Sequence, residues 1–448
     1  MSSKKRSLQY LFPISSLVFY KTFRKWFQFI KTSETWTEQQ IKNYQLQQLN
    51  EILNHAKKFV PYYTTKFKKK NNVSSKLNSL SDLQHLPMLR KNHIREHIEE
   101  LKATNYPTIA FKETRTGGAT GKPLMFYIEK ARWLGKHFAF NKVYMQQAGY
   151  KSTDKIISIT GKKKPIQYHP FLLTLEFSSI QMNQQNLSQY ATKTFSFQPQ
   201  FITSYPSALY IFTNYLTGKN KPLPKIKAIF THGETLFDWQ QRLFEQRYNC
   251  PVYDQYGHRE QCVFATSCSK SNLYHIFPQY GIVELINEKG KTITSPGQIG
   301  EIVATSLHSK IFPFIRYKTG DLAELSSKKC SCERNYPLLK KIIGRKQDFL
   351  FTKNNDIIPL TGLYHLIAES SKEIRECQLV QEREGDLIIR LVKDKAWTRN
   401  EQKTFEEHLQ NQIGDIFNIT FDFVDHIPRT TNGKYRYLIQ KIPYNIKS

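Results

Sequence analysis

The apolar run Ala228-Ile229-Phe230 leads into Thr231-His232-Gly233-Glu234-Thr235, and Leu236 to Tyr248 then takes on a helical period. Pro251-Val252-Tyr253-Asp254 resumes the texture of a strand. Strand, loop, helix and strand in so short a span constrain the fold more than any other stretch. They predict a βαβ unit with Thr235 as the helix N-cap. Upstream, short β-like runs such as Lys155 to Ile159 alternate with helical segments in the same way, which predicts an α/β body. Ligands sit at strand-end loops in such bodies. One such loop is Gln255-Tyr256-Gly257-His258-Arg259-Glu260.

A second stretch, Thr114-Arg115-Thr116-Gly117-Gly118-Ala119-Thr120-Gly121-Lys122-Pro123, is rich in glycine, threonine and cation. Glycines let backbone N–H groups turn inward, and hydroxyls and an ammonium add donors, so the loop suits a polyphosphate. It is not a Walker A loop. Thr116 stands where the first glycine belongs, and Pro123 follows the lysine. Leu124 to Ile128 reads as a strand, which makes this a strand-to-strand turn. Alone, such a loop is more often a structural turn than a phosphate cradle.

Helical spacing of Leu46, Leu49, Leu53 and Ala56 predicts a helix ending before Val60-Pro61-Tyr62-Tyr63. A short helix near Asp82 to Leu86 stops at Pro87, and another helix spans Ala131 to Met145. From about Arg345 the texture changes. Strands Gln378 to Gln381 and Leu387 to Val392 flank a turn at Glu384-Gly385-Asp386, then a helix near Glu401 to Ile413 precedes a final strand near Ile419 to Val424. These describe a small α+β domain of about a hundred residues.

The 448 residues carry a formal charge of +29, which favours a polyanionic or anionic-membrane partner or lysines spread over solvated faces. The short clusters, Lys4-Lys5-Arg6, Lys68-Lys69-Lys70 and Lys162-Lys163-Lys164, lie far apart and no nucleic-acid recognition motif accompanies them, so nucleic acid is not expected as a partner. No apolar run approaches the length of a membrane span, and a cytoplasmic protein is expected. The basic, aromatic segment with Phe19, Tyr20, Phe23, Trp26, Phe27 and Phe29 has two readings. It is a helix packed on the body, which is favoured, or a peripheral contact at the inner face of an anionic membrane.

Six cysteines in a chain of this length do not make a disulfide scaffold. Cys268, His275, Cys330 and Cys332 have the ligand types of a tetrahedral structural zinc site. Free thiols are the alternative, and Cys250, Cys262 and Cys377 are read as bystanders, although Cys262 is near enough in sequence to replace one ligand.

The order of five motifs resembles the adenylate-forming enzymes. Thr116-Gly-Gly-Ala-Thr-Gly-Lys-Pro123 is similar to their phosphate loop, and Tyr256-Gly-His-Arg-Glu260 to their Tyr-Gly-x-x-Glu motif. Arg316-Tyr-Lys-Thr-Gly-Asp-Leu322 resembles the Tyr-Arg/Lys-Thr-Gly-Asp signature. Gly344-Arg345 resembles the hinge, and Pro428-Arg-Thr-Thr-Asn-Gly-Lys434 the C-terminal lysine motif. Val60-Pro61-Tyr62-Tyr63, Asp82-Leu83-x-x-Leu86-Pro87, Gly233-Glu234-Thr235-Leu236 and Cys330-Ser331-Cys332 look like the phenylacetate-CoA ligase branch, which includes CapK-type capsular-polysaccharide proteins.

The resemblance implies an α/β fold with a large N-terminal adenylation domain, residues 1–346, and a smaller mobile α+β cap, residues 347–448, carrying Lys434. It implies ATP, Mg²⁺, a small-molecule carboxylic acid and CoA as partners, and a structural Zn²⁺. ATP-binding residues would be Thr116, Gly117, Gly118, Thr120, Gly121, Lys122, Gly233, Glu234, Tyr256, Gly257, Asp321 and Arg345. Glu260 would hold Mg²⁺, and Lys434 would bridge carboxylate and α-phosphate. Tyr205-Pro206-Ser207 would lie near the acyl pocket. Several positions depart from the family pattern: Ala119 in the loop, His258 and Arg259 before Glu260, Glu333 after Cys332, and Gln347 at the hinge. Alternatives are an acyl-transferring step in surface-polysaccharide synthesis with a non-CoA acceptor, and a silent scaffold that binds polyanions. Oligomeric state is left open.

Overall fold

The computed structural model describes residues 14–69, 76–116, 124–162, 164–345, 349–354, 357–359, 367, 374–393, 397–430 and 435–442. Two units interleave along the chain: Met1–Thr116, Pro123–Lys151 and Tyr253–Ile343 form the first, Gly117–Lys122, Ser152–Val252 and Gly344–Ser448 the second.

In the first unit, strands neighbour one another in the order Gly281–Ile286, Ile299–Ser306, Tyr317–Leu325, Leu338–Arg345, Ser271–Ile276, Phe264–Cys268, Val252–Gly257. Between the pairs Val303↔Lys318 and Glu301↔Leu322 the register shifts, so the chain bulges around Thr319-Gly320-Asp321. Helix Glu38–Phe59 starts at a reciprocal cap. The Thr37 hydroxyl accepts from Gln40 N–H, and the Gln40 side chain accepts from Thr37 N–H. Its buried Ile41, Gln45, Leu49, Ile52 and Ala56 follow three- and four-residue steps, which turns one stripe onto the core with Phe126, Phe314 and Tyr317. Val60 is extended because Pro61 follows it.

Helix Ile14–Thr32 lies against helix Arg132–Gln146, with ring centroids 5.7 Å apart for Trp26 and Phe140 and 5.5 Å for Phe19 and Phe138. A Cβ on Gly135 would stand 2.8 Å from Phe19 O, so the approach requires glycine there. Phe19, Trp26 and Phe29 thus pack within this unit, as the favoured reading expected, while Tyr20 is 61% exposed. Among the described residues no helix is long and apolar enough to cross a membrane. The expected strand-to-strand turn is present: Phe111–Arg115 and Met125–Glu129 pair antiparallel, closing with Thr116 N–H to Leu124 O at 2.9 Å.

The second unit holds parallel strands in the order Ala228–His232, Phe201–Ser204, Ile156–Thr160, Thr174–Ser178, with Ile166–His169 antiparallel at the edge. Helices Gln184–Phe197, Pro206–Gly218 and Asp238–Tyr248 contribute Tyr190, Phe212 and Phe244 to its core with Ile157, Ile159 and Ile229. Its C-terminal part is a second sheet, Asn418–Phe423, Asp386–Lys393, Ile374–Gln381, Leu438–Gln440, with helix Arg399–Ile413. Phe237 and Trp239 share one apolar cluster with Leu379, Ile389 and Leu409 of that part.

Three sequence readings need correction. The βαβ helix begins at Asp238 rather than Leu236, and Thr235 is not its cap: Phe237 N–H bonds Gln240 Oε1 at 3.2 Å. The strand after it continues to Gly257, because Gln255-Tyr256-Gly257 pairs with Phe264–Thr266. The strand at Asn418–Phe423 is not the last. Leu438–Gln440 follows and runs parallel to Ile374–Gln381.

Candidate active site and metal centre

In the first unit the strand Val252–Gly257 presents Tyr256, and the bulge in Tyr317–Leu325 presents Asp321. The Tyr256 hydroxyl donates to Asp321 Oδ2 at 2.7 Å across 65 positions of sequence. Gly320, with φ +84, permits the turn, and Thr319 Oγ1 holds Asp321 N–H at 3.0 Å. Glu260 is 6% exposed, so its carboxylate needs buried partners. Tyr317 OH donates to its Oε1 at 2.9 Å, and His258 Nδ1 lies 3.6 Å from Oε2. Burial and the Glu260 charge push the Tyr317 phenol well above its ordinary range, so it stays a donor.

The basic residues in these motifs are committed to structure. Arg316, at φ +47 and 2% exposed, grips Glu284 through Nε at 2.9 Å and Nη2 at 2.8 Å, and its Nη1 donates to Gln84 O and Leu86 O, each at 2.8 Å. Arg259, one of the departures, donates from Nε to Thr114 Oγ1 at 2.7 Å and lies 5.8 Å over Trp133. It anchors the turn before Glu260 to the strand that leads into the glycine-rich loop. Thr116 closes the base of that loop, its Oγ1 accepting Leu124 N–H at 2.9 Å.

In the second unit, Gly233 has φ +81 and Glu234 follows it. Glu234 Oε2 accepts Ser207 N–H at 3.1 Å, at the start of helix Pro206–Gly218, and Oε1 accepts Tyr435 N–H at 2.6 Å. Burial raises the Glu234 carboxyl above its usual range, against those N–H groups and Arg429. Arg429 lies 4.1 Å over the Tyr435 ring and pairs with Glu376 at 3.0 Å, and Tyr205 sits edge-on to His232 at 5.3 Å. Spacing gave no hint of the Glu234–Tyr435 link; a buried glutamate's need for donors was the available signal.

Gly117, Gly118, Ala119, Thr120, Gly121, Lys122, Gln347 and Lys434 lie outside the described residues, and only the backbone of Arg345 is described. The structure therefore brings together Tyr256 with Asp321 and Glu260 with Tyr317, and Glu234 with the residue that follows Lys434.

The zinc reading meets a fitting geometry. Ligand atoms of Cys268, His275, Cys330 and Cys332 lie within 4.8 Å of one another. Cys330 and Cys268 Sγ are 3.6 Å apart and Cys332 Sγ is 3.4 Å from His275 Nε2. A tetrahedron with Zn–S of about 2.3 Å separates sulfurs by about 3.8 Å. Burial, with Arg334 nearby, pushes His275 down to about 4, leaving a neutral imidazole with a lone pair to give. Burial pushes the Cys332 thiol up to about 12, while hydrogen bonds from Ser271 and Cys332 hold Cys330 low despite its burial. Crowded thiols oppose each other's ionisation, and a dication relieves that. Cys262 belongs elsewhere; its fully buried Sγ contacts Glu260 O at 3.5 Å.

The fold of this chain is similar to that of 2-hydroxyisobutyryl-CoA ligase, solved in the postadenylation state in complex with R3-HIB-AMP, with a TM-score of 0.73, 19% identity and 91% of each chain covered. The fold is that of the adenylate-forming CoA ligases. Residues 350–441 match the CapK C-terminal domain family. Over 410 residues the chain is 30% identical to Protein CapK of Staphylococcus aureus, covering 89% of each. It is 24% identical over 348 residues to phenylacetate-coenzyme A ligase of Pseudomonas putida, covering 73% of this chain and 75% of that one. The chain belongs to the CapK family, in the phenylacetate-CoA ligase branch of the adenylate-forming superfamily.

Proposed function

We propose that this chain activates a carboxylic acid with ATP, forming an acyl-adenylate and pyrophosphate, and then transfers the acyl group to the thiol of CoA. The observation that carries this reading is the 2.7 Å bond between Tyr256 and Asp321, which joins two of the family motifs in one place. Asp321 would accept from the ribose hydroxyls, a role that suits a carboxylate, and the Tyr256 ring would face adenine. Glu260, fixed by Tyr317 through Oε1, keeps Oε2 for Mg²⁺, a hard cation that takes oxygen ligands. The metal supplies charge neutralisation on the phosphates. Thr116, Gly117, Gly118, Thr120, Gly121 and Lys122 hold the β- and γ-phosphates, with Gly233, Glu234, Gly257 and Arg345 completing the nucleotide contacts. Lys434 orients the substrate carboxylate against the α-phosphate, so two anions meet in attack geometry.

Residues 347–448 act as the mobile cap that delivers Lys434, and 1–346 as the adenylation domain. Cys268, His275, Cys330 and Cys332 hold one structural Zn²⁺. A second reading keeps adenylation but gives the acyl group to a surface-polysaccharide acceptor, as CapK-type resemblance implies; the higher identity to Protein CapK supports it. Pyrophosphate release with ATP, Mg²⁺ and a panel of carboxylic acids tests the shared step. Release above the Lys434→Ala level is expected, and no release above that level from any acid overturns the proposal. An acyl-CoA product detected by mass spectrometry supports the first acceptor; release that proceeds only with a sugar acceptor supports the second.

A further inference from the structure

Four strands of the second unit, Ile156–Thr160, Thr174–Ser178, Phe201–Ser204 and Ala228–His232, run parallel, so the segments preceding them share one rim. Backbone bonds tie that rim together. Ile156 N–H donates to Leu173 O at 2.9 Å, Gln200 N–H to Lys155 O at 2.9 Å, and Lys227 N–H to Gln200 O at 2.8 Å. On it, at the turn Pro170–Leu172, Phe171 is 95% exposed and Leu172 50%. Three strands along the same rim, Lys219-Asn220-Lys221-Pro222-Leu223-Pro224-Lys225-Ile226-Lys227 places four lysines in one loop without a carboxylate, and between them Lys155 heads its own strand. Asp154 is the carboxylate of these stretches; it is buried and paired with Lys227 at 3.3 Å.

Helices Gln184–Phe197 and Pro206–Gly218 end at this rim, and lysines complement helix C-termini. That accounts for part of the charge. It does not account for a phenylalanine held almost fully in water beside a leucine. Apolar side chains standing out from a lysine-rich rim match a bilayer interface, where the apolar tips enter the headgroup boundary and cations meet lipid phosphates. A chain of charge +29 adds attraction of the same sign.

We propose that this rim docks on an anionic membrane surface, with Phe171 and Leu172 inserted and Lys155, Lys219, Lys221 and Lys225 on the lipid phosphates. The rim lies at the strand starts, whereas Gly233 and Glu234 follow the end of Ala228–His232, so docking leaves the nucleotide end of this unit free. In the N-terminal helix Phe19 and Trp26 are used in packing, and Tyr20 is its exposed aromatic.

The test is co-sedimentation of the full chain with vesicles of phosphatidylglycerol and phosphatidylcholine, against pure phosphatidylcholine. Binding to the anionic vesicles alone is expected, weakening as salt shortens the Debye length. Phe171→Ser with Leu172→Ser weakens it roughly tenfold or more. Lys221→Glu with Lys225→Glu abolishes it, while pyrophosphate release stays at the unsubstituted level. A Phe171→Trp chain reports insertion by a blue-shifted emission on anionic vesicles and keeps the test open if the double serine variant does not fold. Absence of binding, an unshifted emission, or equal binding to heparin that ignores Phe171 and Leu172 overturns the proposal.

Discussion

Replacing Glu234 by alanine removes the acceptor of two backbone N–H groups, Ser207 at 3.1 Å and Tyr435 at 2.6 Å. Each buried donor left without a partner costs about 1–3 kcal/mol. The pair together costs about 2–6 kcal/mol, reduced by relief of burying a carboxylate whose own ionisation burial opposes. Opening is expected to be local, because Tyr435 leads directly into strand Leu438–Gln440, an edge of the C-terminal sheet. Even 2 kcal/mol raises the open population about thirtyfold. Hydrogen exchange read by mass spectrometry over residues 435–440 measures this, with the central strand Asp386–Lys393 of the same sheet as internal control. Expected is at least tenfold faster exchange over 435–440 in Glu234→Ala and little change in the control strand. Because Lys434 precedes Tyr435, adenylation kcat falls with it. Glu234→Gln stands between, since its one carbonyl oxygen satisfies one donor and its amide faces the other. Unchanged exchange over 435–440 in the alanine variant refutes the reasoning.

Arg316→Ala strands Glu284, of which only a tenth is exposed, and lowers stability by about 3–5 kcal/mol in urea unfolding; an unchanged midpoint contradicts the clamp. Protein prepared without a metal-affinity tag should carry about one zinc, lost in Cys332→Ser along with thermal stability, while Cys250→Ser keeps it; absence of zinc in the unsubstituted protein contradicts the centre. His308 and His137 are half-buried and neutral, held down to about 3 and about 4 first by desolvation and then by Lys136. Their folded pKa values lie below the unfolded value of about 6.5, so their stabilisation is present above that pH and declines as pH falls toward 4. Each loses roughly 2–3 kcal/mol by pH 4.5. A urea midpoint that is flat between pH 7 and 4.5 contradicts this.

The α/β class, the strand pair Phe111–Arg115 with Met125–Glu129 and the Cys/His cluster were legible because each rests on local pattern or ligand chemistry. Thr37 with Gln40 and Thr398 with Glu401 are caps of the same local kind. What spacing could not show is how motifs pair. Arg316 stands at the head of a family signature, and its guanidinium is used on Glu284 and two carbonyls. Glu260 reads as a metal ligand, and its burial against Tyr317 appears only once residues 57 positions apart lie side by side. The cap at Thr235 failed because the chain stays extended to Phe237 before the helix starts. The exposed Phe171 was invisible, since an exposed phenylalanine has no sequence signature.

Adenylation is reversible, and isotope exchange from pyrophosphate into ATP isolates it from every later step. With ATP, Mg²⁺ and the right carboxylic acid, label is expected to enter ATP without CoA and to fall by orders of magnitude in Asp321→Ala and Lys434→Ala. Exchange that needs no carboxylic acid, or that survives both substitutions, contradicts the account.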